Sequence, residues 1–328
     1  AQFALVAARE AARGIDLDAF DPARRGAVLG AAIGQETIDT AHRALYEAKA
    51  ARLHPLTVPR IMPSGPASHL SIEFGLRGPC FAAASACASA AHALGLAFQM
   101  IRSGLLDMAF TGGSDASITL GFVKAWDALR ILSPDLCRPF SADRQGLVLG
   151  EGAGILVLEE WEHAERRGAA IQAELIGFGM SADAEDMLAP DAEGAARAMR
   201  AALEDAGTAP EDVDYVNAHG TGTRLNDKTE TAALSAVFGG HLAALPVSSG
   251  KSMFGHCLNA AGALEMVATV LALREEMLPP TIGFTTPDPE CAIDCVPNES
   301  RGAPIRVAMS NSFAFGGLNA VLVARRAE

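Results

Sequence analysis

The sequence predicts an α/β protein with a mostly buried sheet. Three observations carry this. Segments of helical and strand-like period alternate along the whole chain, half of the 328 residues are apolar, and a faint internal echo is consistent with a duplicated unit. The helical pattern "FALVAAREAARG" is followed by the strand-like "GAVLGAAIG" and the helical "ETIDTAHRALYEAKAARL". Further strands read as "MAFTGG", "GILVLEE", "AELIGFGM", "DYVNAHG" and "IRVAMSNS". The echo pairs Cys87 and "Ala90-Ala91-x-Ala93-Leu94" with Cys257 and "Ala260-Ala261-x-Ala263-Leu264". In both places a polar loop precedes a small-residue helix, then a strand and a glycine turn. Five matches among so many alanines also fit chance. If the echo is a duplication, the units meet near residue 170, where "EEWEHAERRGAA" reads as a connecting helix, and the paired small residues let two helices pack back to back in a shared central layer.

A net charge of -13, with no gathered run of Lys or Arg, argues against nucleic acid or an anionic membrane as partner. Six cysteines are too sparse for a disulfide scaffold in a chain of this size, so a reducing cytoplasm fits best. The opening "AQFALVAAREAARG" reads as no signal peptide, and "GALEMVATVLAL", broken by Glu265, is too short to cross a bilayer. No metal site is expected, because Cys291 and Cys295 lack a second ligand pair at zinc spacing and no HExxH motif is present.

Three segments could carry chemistry. Cys87 follows the apolar run "CFAAASA" and opens a helix, where the macrodipole would favour the thiolate and lower the thiol pKa. Small neighbours would admit a substrate carbonyl and let backbone N–H groups converge on its oxyanion. The same run equally fits a thiol that only fills a small-residue core. His219, in "NAHGTGTRLND", stands at a strand end beside glycines, a place where α/β enzymes keep acid-base groups; a histidine bonded to its own loop is the alternative. Thr221 and Thr223 offer hydroxyls suited to an amide-bearing chain or serve as ordinary turn residues. In "SSGKSMFGHCLNAAGALEMV", the P-loop reading fails for want of its first glycine. His256 stands just before a helix whose dipole would keep the imidazole neutral, able to donate to a developing oxyanion. Lys251, and Glu265 about two and a half turns into that helix, add little alone, since such residues are usually solvated.

With these residues assembled, the sequence closely resembles the β-ketoacyl-acyl carrier protein synthases of the type II elongating class. The resemblance is carried, in family order along almost the whole chain, by "SACASA", "RPFSADRQGLVLGEGAGILVLEEWEHAERRGA", "YVNAHGTGTRLNDKTET", "KSMFGHCLNAAGALE" and "SNSFAFGGLNA". It implies the thiolase-like αβαβα fold of two similar halves, here 1–170 with the nucleophile and 171–328 with both histidines, usually as a homodimer. Cys87 would take an acyl chain as a thioester from the phosphopantetheine of acyl carrier protein. His219 and His256 would bind the malonyl thioester carbonyl and hold the enolate formed on decarboxylation. Lys251 and Glu265 match residues that support the histidines, and Phe315 matches a gating phenylalanine whose N–H joins that of Cys87 in an oxyanion hole. Thr221 and Thr223 match phosphopantetheine contacts, Arg130 a carrier-protein contact, and Ile33 and Trp126 the acyl pocket. No other cofactor is implied.

Relative to that family, an N-terminal segment holding the first strand of the first half and part of the carrier-protein surface is absent, and its loss would expose an apolar sheet edge. Ala314 and Leu318 replace a glycine and a threonine of the gating loop, and Gly250 and Phe254 replace threonines around the lysine; alanine for glycine restricts φ and would stiffen the gate. The resemblance gives fatty-acid elongation as the first expectation. Alternatives are a specialised ketosynthase of polyketide or nodulation-type lipid synthesis, a non-catalytic chain-length partner subunit, and a Cys-His hydrolase, which a site admitting water would favour.

Overall fold

The computed structural model describes residues 1–32 and 34–327. Its first part runs α1 (Gln2–Ala11), β1 (Arg25–Ala31), α2 (Gln35–His42), α3 (Thr57–Ile61), α4 (Gly65–Phe74), β2 (Cys80–Ala83), α5 (Ser89–Arg102), β3 (Met108–Asp115), α6 (Leu120–Ala128), β4 (Gly152–Glu159) and α7 (Trp161–Arg166). The second runs β5 (Ala173–Ala182), α8 (Ala192–Ala206), β6 (Tyr215–Asn217), α9 (Arg224–Phe238), β7 (Val247–Ser248), α10 (Lys251–Phe254), α11 (Ala261–Glu275), β8 (Met277–Leu278), β9 (Arg301–Gly302), β10 (Val307–Ala314) and β11 (Leu318–Arg326). The segment expected as one long helix from Glu36 divides. It leaves α-geometry at Arg43 for a π turn through Glu47 and stops there.

One sheet has the order β2-β1-β3-β4 and the other β7-β6-β10-β11-β5. In both, two parallel pairings precede an antiparallel one, β3 with β4 and β10 with β11. The halves therefore share a topology, and among the described residues β5, antiparallel to β11, has no counterpart beside β4. Along that side of β4 lies a groove of about 1120 Å³, lined by Ile155 and Val157, by Leu175 of β5 and by Met266 and Val270 of α11. The open apolar edge expected from the sequence is thus present.

Side chains alternate across each strand, so both faces of both sheets are covered. Ala27, Leu29, Met108 and Phe110 point outward to α1 and α4, whereas Val28 and Ala109 face α5. In the second half Val321 and Val323 meet α8 and α9, while Ala320 and Leu322 face the central helices. The result is five layers, with α5 and α11 shared in the middle, as the thiolase-like fold requires. Close approach there depends on size: a Cβ on Gly262 of α11 would stand 3.0 Å from the Ala91 nitrogen and 2.8 Å from the Ser312 hydroxyl oxygen. Gly262→Val is therefore expected to force the central helices apart and cost about 1–3 kcal/mol, read as a lower midpoint in urea at unchanged slope.

The echo is real in architecture but its register is corrected. A 3-10 turn, Ala86–Ala88, leads into α5, and another, Leu258–Ala260, leads into α11. Each opens on a residue with positive φ, Ala86 at 47° and Leu258 at 48°. These turns superpose Cys87 on Asn259, two places from the Cys257 suggested by the alanine pattern. Alanine-rich helices match at several offsets; the strained turn matches at one.

Candidate active site

Cys87 occupies the middle of its turn, 8% exposed, and Ala86 before it takes the left-handed conformation that lets the chain fold sharply from β2 into α5. This answers the small residues in sequence: Gly30 of β1 lies under that turn, where a Cβ would come within 2.4 Å of the Ala90 nitrogen. The electrostatic expectation is overturned. Burial pushes the thiol up to about 11, and the attraction of Lys251 only partly offsets it. Alkylation of Cys87 is accordingly expected to be slow at neutral pH and to keep rising towards about pH 11, beyond the range where an exposed thiol of pKa about 8.5 levels off. A rate profile with iodoacetamide checks this.

His219 follows β6, and its ring meets that of His256 edge to face, with centroids 5.5 Å apart. Nζ of Lys251 donates to Nδ1 of His219 at 3.2 Å and to its carbonyl at 2.6 Å, and pairs with Glu265. Nδ1 of His256 accepts from the Leu258 N–H at 3.3 Å. In each ring the occupied Nδ1 leaves the proton on Nε2, so both present an N–H donor. Burial, then Lys251, holds both imidazoles well below the ordinary histidine pKa, which keeps them neutral at physiological pH. The neutral His256 expected from sequence is found, with burial as its leading cause in place of the helix dipole. It lies outside α11, and its backbone is strung between Val148 and Gly150 by bonds of 2.7 and 3.0 Å.

Lys251 and Glu265 are wholly buried, against the solvated reading of each alone. Glu265 lies one turn into α11, closer to its start than the sequence spacing gave. Oε2 of Glu265 has no hydrogen-bond partner, and burial pushes the carboxyl pKa up against the pull of Lys251. The cation is thereby tethered behind the histidines and outside the cavity lining.

Cys87, His219 and His256 share one cavity of about 520 Å³. Thr221, Thr223, Trp126, Arg130 and Phe315 line it as well. The Thr221 and Thr223 hydroxyls lie 2.8 Å apart, Arg130 is exposed at the mouth, and Trp126 stacks on Phe315 with ring centroids 5.8 Å apart. Ile33 falls outside the described residues. The turn after Phe315 is held from a second side, where the Gly316 N–H donates to the Met187 carbonyl at 2.8 Å and Asn319 Nδ2 donates to Asp183 at 2.6 Å.

Sequence reasoning missed two acids. Glu230 accepts the backbone N–H groups of His219 and Gly220 at 2.8 and 2.7 Å, and Asp227 accepts those of Phe140 and Gly222 at 2.9 and 3.2 Å. Both are buried, which raises Glu230 to about 7 and Asp227 to about 6. The signal was available: "HGTGTRLNDKTE" places two carboxylates one turn apart directly after a glycine loop whose N–H groups need acceptors. His92 and His163 have structural roles, with Nδ1 of His92 2.8 Å from the Ser85 hydroxyl and that of His163 2.6 Å from Glu159.

Comparison with known proteins bears on this arrangement. The family model for the N-terminal domain of beta-ketoacyl synthase matches residues 1–164, and that for the C-terminal domain matches residues 172–285. The chain belongs to the β-ketoacyl synthase family. This synthase is 52% identical to nodulation protein E of Rhizobium sp. (strain N33), over 98% of this chain and 81% of that protein. It is 44% identical to 3-oxoacyl-[acyl-carrier-protein] synthase 2 of Staphylococcus aureus (strain N315), over 100% of this chain and 81% of that one. Among solved structures, the ishigamide ketosynthase/chain length factor superposes with a TM-score of 0.96 at 38% identity, covering 100% of this synthase and 82% of its match. The resemblance read from the motifs and the thiolase-like fold are both shown. No helix of the described residues is long and apolar enough to cross a membrane.

Proposed function

We propose that this synthase catalyses decarboxylative Claisen condensation between an acyl group on Cys87 and malonyl-acyl carrier protein. The reading is carried by one thiol and two neutral imidazole N–H donors converging on a cavity that opens past Thr221, Thr223 and Arg130. In the first step the Cys87 sulfur attacks the thioester of acyl carrier protein. The pantetheine sulfur leaves and takes the proton. Malonyl-carrier protein then loses carbon dioxide, and the electron pair left behind forms an enolate whose oxygen accepts from Nε2–H of His219 and His256. Its carbon attacks the acyl-cysteine carbonyl. Collapse of the tetrahedral oxyanion breaks the C–S bond, yields the 3-oxoacyl chain on carrier protein and returns the Cys87 thiolate, which is reprotonated. A neutral donor suits this step because imidazolium would give up a proton and quench the enolate.

Thr221 and Thr223 are proposed to meet the pantetheine amides and Arg130 the acidic carrier protein. Trp126 and Phe315 would border the acyl chain. Of the two settings expected for the chemistry, the higher identity to nodulation protein E favours a specialised acyl chain over general fatty-acid elongation. A homodimer in a reducing cytoplasm is proposed with it; the chain length factor accompanying the ishigamide ketosynthase makes a heterologous partner the competing assembly. Retention of the complete Cys-His-His set speaks against a non-catalytic subunit. Intact mass after mixing with acyl-carrier proteins of defined chain length tests the reading. Acyl adducts on Cys87, converted by malonyl-carrier protein to 3-oxoacyl product, support it; no adduct at any chain length, or free acid as the main product, refutes it.

A further inference from the structure

The duplicated turn assigns a task to Asn259, the residue that takes the place of Cys87 in the second half. Its amide joins the two turns. The Ser89 hydroxyl accepts the Ser85 N–H at 2.8 Å and shares its single proton between the Ala86 carbonyl at 2.6 Å and Oδ1 of Asn259 at 3.0 Å. Ser89 thus grips the strained residue immediately before the nucleophile. On its other side Asn259 donates from Nδ2 to Oδ2 of Asp115 at 2.8 Å and from its backbone N–H to the same oxygen at 3.3 Å. Asp115, at the end of β3, is 3% exposed and also accepts the Ser117 N–H at 3.0 Å. Ser89 is fully buried. The path Asp115–Asn259–Ser89–Ala86 is therefore a continuous set of polar contacts from the first sheet, through the second half, back to the nucleophile turn.

We propose that Asn259 is a positioning residue for Cys87, holding the Ala86–Ala88 turn through Ser89 and dispersing the charge of Asp115 beside it. Alanine at 259 would take the side-chain donor from Oδ2 of Asp115, leaving the backbone N–H alone on that oxygen, and would take from the Ser89 hydroxyl the second acceptor that fixes its orientation. Both changes act on the sulfur, because the negative charge of Asp115 already disfavours the Cys87 thiolate. The kinetic consequence rests on Cys87 being the acyl acceptor; the chemical one does not.

The experiment measures carbamoylmethylation of Cys87 alongside condensation. Asn259→Ala is expected to slow alkylation and kcat by about tenfold with KM for acyl-carrier protein changed less than about twofold. Ser89→Ala should do the same, and the double variant should be no slower than either, since both break one path. Asn259→Asp keeps the shape and the Ser89 acceptor but faces Asp115 with a second carboxylate, so the link forms only when the pair holds a proton. Its alkylation rate relative to the parent should rise as pH falls from about 8 to about 5.5. The other ionisable groups around the link, Cys87, Cys257, Lys251, Glu265, Glu151 and the two histidines, are common to both proteins and cancel in the ratio. Parent-like alkylation in Asn259→Ala, additive losses in the double variant, or a flat ratio for Asn259→Asp would overturn the assignment. A parent that shows these alkylation effects but never condenses would refute the proposed function and leave the positioning role standing.

Discussion

Cys87→Ala is expected to lose acyl transfer by about 10³-fold or more while malonyl decarboxylation continues. The two half-reactions use different groups. Acyl transfer needs a sulfur inside the cavity, and Cys87 is the only thiol lining it among the described residues. Decarboxylation needs N–H donors on the enolate oxygen, and those belong to His219 and His256, fixed by Lys251 and by the Leu258 N–H independently of the thiol. Carbon dioxide release from malonyl-carrier protein, measured beside the intact mass of the protein after exposure to acyl-carrier protein, separates them. Equal loss of both would remove the division of labour on which the mechanism stands.

His256→Ala should produce the converse pattern, with decarboxylation down by about 10²–10³-fold and acyl loading of Cys87 changed far less. A donor preorganised in a dry cavity is worth several kcal/mol when charge develops on its acceptor, and alanine supplies none. His256 is also held at its backbone by Val148 and Gly150, so the substitution removes the ring and leaves the strand-like contact in place. If the variant decarboxylates at the parent rate, His219 alone suffices and His256 serves the acylation step.

Cys87, His219 and His256 were legible in the sequence because each stands beside small residues, and small residues mark where backbone must turn sharply or approach something closely. The layered fold was legible from alternating periods. What escaped depends on contacts between remote segments. The thiol pKa moved opposite to expectation because helix-end chemistry can be read locally, whereas burial depends on how the second half closes over Cys87. Lys251 and Glu265 look solvated one at a time and are stable inside only as a pair. Asp227 and Glu230 gain meaning from the loop amides they receive, and Asn259 from a turn that must be matched by backbone angle. The two-residue slip in the echo has the same origin, since side-chain identity in an alanine-rich helix carries little information about register.

The pairing of Cys87 with Asn259 divides the chemistry between the two halves of the chain. The same bend occurs twice, once bearing the reactive atom and once serving as its brace. The imidazoles sit on the bracing side only. Severing the chain between the two would part the sulfur from the imidazoles, so neither fragment would hold a whole reaction and each half depends on the other.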